Sequence, residues 1–342
     1  MSRSKEQLFS RGGAAWTDVT GARRCPICNG ATWCQVARDG ATVLCKRDAT
    51  GLKRENRDGV PYYVHHLTGE TRRAWQPPPA PTATRAPVEV RDRAYRAVLA
   101  KLSLDAADRR ALEARGLDAG AIDANGYRSL PVQGRAALAL AVLNEVGEDA
   151  ARGVPGVIWT EDGRRGWWSF AGSAGLVVPV RNLAGAVVAL KIRRRDPCEG
   201  PRYLYVTSAK HGGAAAASVV HVPLRAATLR PTHARLVVTE GELKADVSTH
   251  LARVPVVSVP GAGQWREGLD LALAWSADLA DVDVCFDMDA LTNPSVARSA
   301  RLLVDALRAE GMRPALRRWD PKFKGLDDFL LARAKGETRA TG

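Results

Sequence analysis

The 342-residue chain lacks several features that would otherwise decide its class. It has no apolar run near the roughly 20 residues needed to cross a bilayer, so no membrane span is expected. No apolar segment follows the charged start Met1-Ser2-Arg3-Ser4-Lys5, which argues against a secretory signal and for the cytoplasm. Cysteine is scarce. Of six in the chain, four crowd between Cys25 and Cys45, while Cys198 and Cys285 stand alone. A secreted disulfide scaffold would spread its cysteines through a short chain, whereas crowding of this kind points to a metal site. No Gly-x-x-x-x-Gly-Lys-Ser/Thr loop occurs, which excludes a P-loop motor in this sequence, and no internal repeat is visible. Negative charge is also short, with 37 Asp+Glu against 50 Lys+Arg, a net +13 and a pI near 9.8. Such a surplus implies an anionic partner, most often nucleic acid, although a compositional bias towards arginine would give the same balance.

What is present separates by texture. Residues 1–75 are rich in Gly, Arg and Cys, with short alternating runs such as Ala41-Thr42-Val43-Leu44 and Tyr62-Tyr63-Val64. Residues 76–90 open with Gln76-Pro77-Pro78-Pro79-Ala80-Pro81, and clustered prolines predict an extended linker. Residues 91–150 turn helical, with Tyr95, Val98, Leu99 and Leu102 on one face and Leu112 and Leu117 continuing beyond Ser103. Residues 151–233 read as strands, including Gly156–Trp159, Gly175–Val180 and, after the turn Asn182–Gly185, Ala186–Ile192. From 234 to 342 strand and helix alternate, which implies a parallel sheet. Its strands are expected at Leu236–Thr239, Val254–Val259, Val282–Phe286 and Pro314–Arg318, and its helices near Glu242–Leu251, Trp265–Ala277 and Pro294–Glu310. The expected fold class is therefore multidomain α/β: a small β ribbon, a mixed α+β subdomain and a C-terminal α/β domain.

The cysteines suggest their own geometry. Cys25-Pro26-Ile27-Cys28 can ligate one ion from a tight turn. Asp39-Gly40 is a strong hairpin signal, and a loop centred there sets Cys34 opposite Cys45, with their Cβ atoms about 5 Å apart. Knuckle and hairpin together would make a tetrahedral zinc ribbon of Cys25, Cys28, Cys34 and Cys45. Small buried residues or an adventitious disulfide are the bland alternatives. His65 and His66 are the substitute ligands, of which at most one can take part because neighbours on a strand face opposite sides.

Two apolar runs end in carboxylates. Leu236-Val237-Val238-Thr239 leads into Glu240-Gly241-Glu242, and Val282-Asp283-Val284-Cys285-Phe286 into Asp287-Met288-Asp289. Ligands of parallel α/β sheets gather at the carboxyl ends of strands, so Glu240, Asp287 and Asp289 should converge there. Three converging acids repel one another unless a divalent cation neutralises them, and oxygen ligands of this kind suit Mg²⁺ or Mn²⁺. Glu242 has a structural explanation in the first turn of the following helix, and a lone Asp could be an N-cap. Gly261 and Gly263 offer a third loop at the same edge. Upstream, Lys191, Arg193 and Arg195 share one face of an expected strand, suited to phosphate contacts or, equally, to a solvated edge.

The acidic pattern resembles the Toprim domain shared by bacterial primases, topoisomerases and certain nucleases. The resemblance rests on Glu240-Gly241 and Asp287-Met288-Asp289 and covers residues 234–335. It implies a catalytic role for Glu240 and magnesium ligation by Asp287 and Asp289. Lys324-Gly325-Leu326-Asp327-Asp328-Phe329 resembles a stretch that follows this domain in primases, where Asp327 or Asp328 would add a carboxylate unless it caps the helix. The strand, glycine turn, basic strand and Pro201-Arg202-Tyr203-Leu204-Tyr205 occur in primase order too, with Lys191, Arg193, Arg195 and Arg202 as the implied nucleic-acid contacts. The ribbon departs from that family's usual pattern of a His ligand and a second Cys-x-x-Cys pair, and residues 92–150 show no match. The layout resembles the primase-like proteins of phages, plasmids and integrated elements. It implies primer synthesis on single-stranded DNA from nucleoside triphosphates, with structural zinc, catalytic Mg²⁺ or Mn²⁺ and a separate replicative helicase as partner. Trp33 is a candidate stacking platform on the ribbon or a core residue beside the zinc. The rivals are a Mg-dependent Toprim nuclease and a non-catalytic zinc-containing DNA-binding replication protein.

Overall fold

A computed structural model describes residues 16–337 apart from 21–22, 57–60, 68–82, 162–164, 196–200, 277 and 292. The chain divides into two compact units, residues 1–79 with 197–201 and residues 80–196 with 202–342. The proline-rich run Gln76–Pro81 lies outside the described residues.

The first unit is a five-stranded antiparallel sheet of β1 (Trp16–Asp18), β2 (Gln35–Ala37), β3 (Thr42–Cys45), β4 (Leu52–Glu55) and β5 (Pro61–His66), in the order β1-β2-β3-β5-β4. Gly40 supplies the left-handed backbone (φ 68°) that closes the β2–β3 hairpin, and Asp39 Oδ1 accepts from the Ala41 amide at 2.8 Å. Gln35 pairs with Leu44 and Val36 with Val43, which continues in register to Cys34 and Cys45 as expected. Among the described residues the core of this unit is small, built from Val19, Val36, Val43, Leu67 and the cysteines Cys25, Cys34 and Cys45. A core that small does not offset the chain entropy of such a domain without a staple.

The second unit opens with α1 (Val88–Lys101), α2 (Ala106–Glu113) and α3 (Ala119–Asn125), followed by strand β6 (Arg128–Leu130), α4 (Arg135–Val146) and α5 (Glu148–Arg152). A hairpin of β7 (Val157–Glu161) and β8 (Gly166–Phe170) precedes β9 (Gly175–Arg181), β10 (Val187–Arg194) and β11 (Tyr203–Tyr205). The antiparallel sheet runs β11-β10-β9-β6, so the helical segment contributes a strand rather than standing apart. Tyr95, Val98 and Leu138 bury against Val177, Leu190 and Ile192 of this sheet.

After α6 (Leu224–Leu229) come β12 (Arg235–Glu240), α7 (Glu242–Ala252), β13 (Val256–Val259), α8 (Trp265–Trp275), β14 (Asp281–Val284), α9 (Pro294–Ala309), β15 (Arg313–Leu316) and α10 (Leu326–Ala334). The sheet order is β13-β12-β14-β15, and every pairing is parallel. Its runs of β-branched residues are buried on both faces, as covered parallel sheets require. Leu236, Val257, Val259, Trp275, Val284 and Leu303 lie in one core. The four strands fall within a few residues of the expected positions. One difference matters: β14 ends at Val284, and Asp287 lies outside the strand, three residues past an end whose next amide, Cys285, still donates to Val238 O at 2.8 Å.

Candidate functional site: an acidic edge and a four-cysteine cluster

The carboxyl ends of β12, β13 and β14 are stitched together. Thr239 Oγ1 donates to the Cys285 carbonyl at 2.8 Å, and the Gly241 amide donates to Val259 O at 3.2 Å. Glu240, the last residue of β12, accepts at Oε1 from the Asp287 amide (3.3 Å) and at Oε2 from the Ala262 amide (3.1 Å). One carboxylate at the end of β12 thus holds the loops after β13 and β14. Gly241 leaves the strand with φ 92°, a backbone L residues rarely adopt, and α7 begins immediately.

Asp287 is buried and forms an ion pair with Lys244 from the first turn of α7, while Lys324 Nζ lies 4.0 Å from its other oxygen. The Met288 amide donates to Lys324 O at 3.0 Å, which ties the Lys324–Phe329 stretch to this edge. Glu240 and Asp287 are therefore neighbours at this edge, joined through the Asp287 backbone amide. Asp289 lies in the short 3-10 turn Met288–Leu291, and its side chain is outside the described residues. Both carboxylates have partners of their own here, backbone amides for Glu240 and ammonium groups for Asp287.

The row of cations on β10 is divided by the structure. Lys191 is turned inward: it is buried, its Nζ lies 2.7 Å from both oxygens of Glu242, and it sits 4.7 Å from the Tyr205 ring. Glu242 is correspondingly more than a helix-end charge. It is 2% exposed and also accepts from Tyr205 Oη at 2.9 Å. Burial, reinforced by that carboxylate, drives the Tyr205 hydroxyl's pKa upward, so it stays a donor. Arg195 falls beyond the strand and pairs with Asp105 and with Asp108 at 2.9 Å. Arg193 is half-buried, with burial pushing its pKa down, and Arg202 is exposed.

Neither carboxylate of the Asp327-Asp328 pair joins the acidic edge. Asp328 Oδ2 accepts from the Gly325 amide at 3.2 Å as a helix cap, and buried Asp327 pairs with Arg115. Burial opposes the Arg115 charge, but Asp327 outweighs it and raises the pKa. Sequence reading also passed over a buried network. Asp246 accepts from Tyr127 Oη at 2.6 Å and lies 3.1 Å from His221 Nε2, and His221 Nδ1 accepts from the Arg181 amide at 3.0 Å.

In the first unit the donor atoms of Cys25, Cys28, Cys34 and Cys45 all lie within 4.8 Å of one another, with Cys28–Cys34 at 3.7 Å and Cys34–Cys45 at 3.8 Å. Tetrahedral zinc with Zn–S near 2.3 Å sets its sulfurs about 3.8 Å apart, so the site fits the ion. Burial pushes the Cys34 thiol up to about 12. Arg47 Nη1 lies 3.8 Å from both Cys28 and Cys34, a guanidinium that offsets the charge of a four-thiolate centre. The histidines are not ligands: His65 Nε2 contacts Asp48 O at 3.3 Å, and His66 Nδ1 contacts Thr42 Oγ1 at 3.4 Å. Trp33 is 65% exposed and so is not a core residue. Its φ of 68° is unusual for a bulky side chain, and Arg47 lies 5.6 Å from its ring.

No protein-family model and no curated protein matches this sequence. Solved structures do. The zinc-binding and RNA polymerase domains of the Aquifex aeolicus primase match over 92% of this chain and 76% of theirs, with 14% identity and a TM-score of 0.53. A DnaG primase catalytic domain bound to single-stranded DNA matches over 73% of this chain and 77% of its own, with 16% identity and a TM-score of 0.51. A DnaG catalytic core matches over 73% and 76%, with 16% identity and a TM-score of 0.50. The likeness is one of fold: this chain is built like a bacterial primase core with its zinc-binding domain. Among the described residues, no helix is long and apolar enough to cross a membrane.

Proposed function

We propose that the protein is a primase-like nucleotidyltransferase that makes short primers from nucleoside triphosphates on single-stranded DNA. The observation that carries this reading is the meeting of Glu240 and Asp287 at the carboxyl edge of a parallel sheet, in a chain with the fold of primase cores. The edge belongs to a Toprim-like domain in this reading. Mg²⁺ or Mn²⁺ held by Glu240, Asp287 and Asp289 would offset the charge of the triphosphate as the new bond forms. Glu240 orders the loops after β13 and β14, and the Lys191–Glu242 pair fixes the start of α7 on which Lys244 stands. Arg193 and Arg202 take template phosphates, contacts that position a strand without reading its sequence. The ribbon, closed by zinc, adds single-stranded DNA affinity. Unwinding falls to a separate helicase, in the replication of a phage, plasmid or integrated element.

The test is to incubate the purified chain with single-stranded DNA, labelled nucleotides and Mg²⁺ or Mn²⁺, following template and product together. New oligomers that vanish in Asp287→Ala and Glu240→Gln are expected. Shortened template without new product would replace this reading with a nuclease. Salt-sensitive DNA binding alone, unchanged in both variants, would leave a binding protein.

A further inference from the structure

The second unit contains a cavity of about 340 Å³ whose wall has no part in the acidic edge. It is lined by Arg96 and Ala100 of α1, Arg128 of β6, Arg181 at the end of β9, Val187 and Leu224, and no acidic side chain lines it. Arg181 is 5% exposed and bonds through Nη2 to the Asn125 carbonyl at 2.7 Å, while its Nε and Nη1, themselves shielded from solvent, have no hydrogen-bond partner among the described residues. The carboxylate whose field it feels most is Asp246, and both oxygens of Asp246 are taken by Tyr127 and His221. Arg128 bonds to the backbone carbonyls of Leu99 (3.1 Å) and Tyr127 (2.8 Å). Arg96 alone has an acid, Asp92 at 2.9 Å, and that acid also accepts the Val187 amide.

Three guanidinium groups line one open pocket, and the buried one, Arg181, is costly to keep without an ion partner. Arginine's planar fork matches phosphate oxygens in pairs, and the excess of positive charge favours an anion carrying more than one negative charge. The volume lies at the lower end of small-molecule sites, which fits a polyphosphate group better than a peptide. We propose that this cavity binds a phosphate-bearing small molecule, with its polyphosphate held among Arg96, Arg128 and Arg181. The site stands whether or not the acidic edge makes primers. Free pyrophosphate and the phosphate end of a nucleotide share the required chemistry.

Calorimetric titration of the full zinc-loaded chain with pyrophosphate, and separately with ADP, in buffer without added divalent cations tests this. Saturable binding at one site per chain is expected, weakened about tenfold by Arg96→Ala through the lost charged hydrogen bond. Ala100→Glu, which sets a carboxylate at the rim from an exposed helix position, should abolish it, with thermal unfolding as the check on folding. Tighter binding of pyrophosphate than of ADP identifies the free ion as the ligand, and the reverse identifies the nucleotide. Glu240→Gln and Arg301→Ala, which removes an exposed cation elsewhere, should leave binding unchanged. Three results would overturn the proposal: no saturable site, equal weakening by Arg301→Ala, or loss in Glu240→Gln.

Discussion

Lys191→Met separates two accounts of the basic strand. Lys191 and Glu242 are both buried, at 8% and 2% exposure, and Nζ reaches both carboxylate oxygens at 2.7 Å. Removing the ammonium strands a buried carboxylate whose remaining close donor is Tyr205 Oη at 2.9 Å. Breaking a buried pair on one side costs about 3–5 kcal/mol. For a unit of this size that lowers the melting temperature by roughly 10 °C. Replacing both partners, as Lys191→Met with Glu242→Leu, should restore much of the loss, because no unpaired charge is then left behind. Thermal and urea unfolding of wild type, both single variants and the double variant would yield the coupling energy directly. A single-variant loss below about 1 kcal/mol, or a double variant as unstable as the sum of the singles, refutes the buried-pair reasoning. Weaker DNA binding with unchanged stability would return Lys191 to the phosphate contacts.

Three further outcomes follow from other elements. The purified, reduced chain should carry one zinc, and Cys34→Ala should lose it and unfold the first unit while the second melts unchanged, checked by metal analysis and calorimetry. Gly241→Ala has room for its methyl, whose nearest neighbour would be Lys244 Cδ at 3.9 Å, so its cost is backbone strain at φ 92°. That cost is about 1–2 kcal/mol by chemical denaturation, with a larger proportional loss of synthesis because Glu240 precedes it. Arg115→Met should destabilise the second unit by about 3–5 kcal/mol in the same assay, since it leaves Asp327 buried and unpaired.

The parallel sheet was legible because its β-branched runs are short, separated by helical periods and ended by glycine or carboxylate. The Cys34–Cys45 pairing was legible because Asp39-Gly40 dictates the hairpin register. Ion pairs between distant segments were not. Lys191 and Glu242 lie 51 positions apart, and Arg115 and Asp327 lie 212 apart. Strand alternation alone left Lys191 looking like a solvent-facing cation, although β11 and the start of α7 cover it. Arg128-Ser129-Leu130 has no periodicity to mark it as a strand, and its place beside β9 comes from sheet packing. Asp287 was located correctly but for an incomplete reason: it lies past the end of β14, held by its amide on Glu240 rather than by the ladder.

The central claim is that the acidic edge starts nucleotide chains on single-stranded DNA. The most direct measurement supplies γ-labelled nucleoside triphosphates and an unprimed template, since only the first nucleotide of a newly started chain keeps its γ-phosphate. Short labelled oligomers are predicted from wild type, none from Asp287→Ala, and unchanged melting of the ribbon in both. Label that never enters an oligomer, while α-labelled nucleotide extends existing 3′ ends or the template is cut, would contradict the claim.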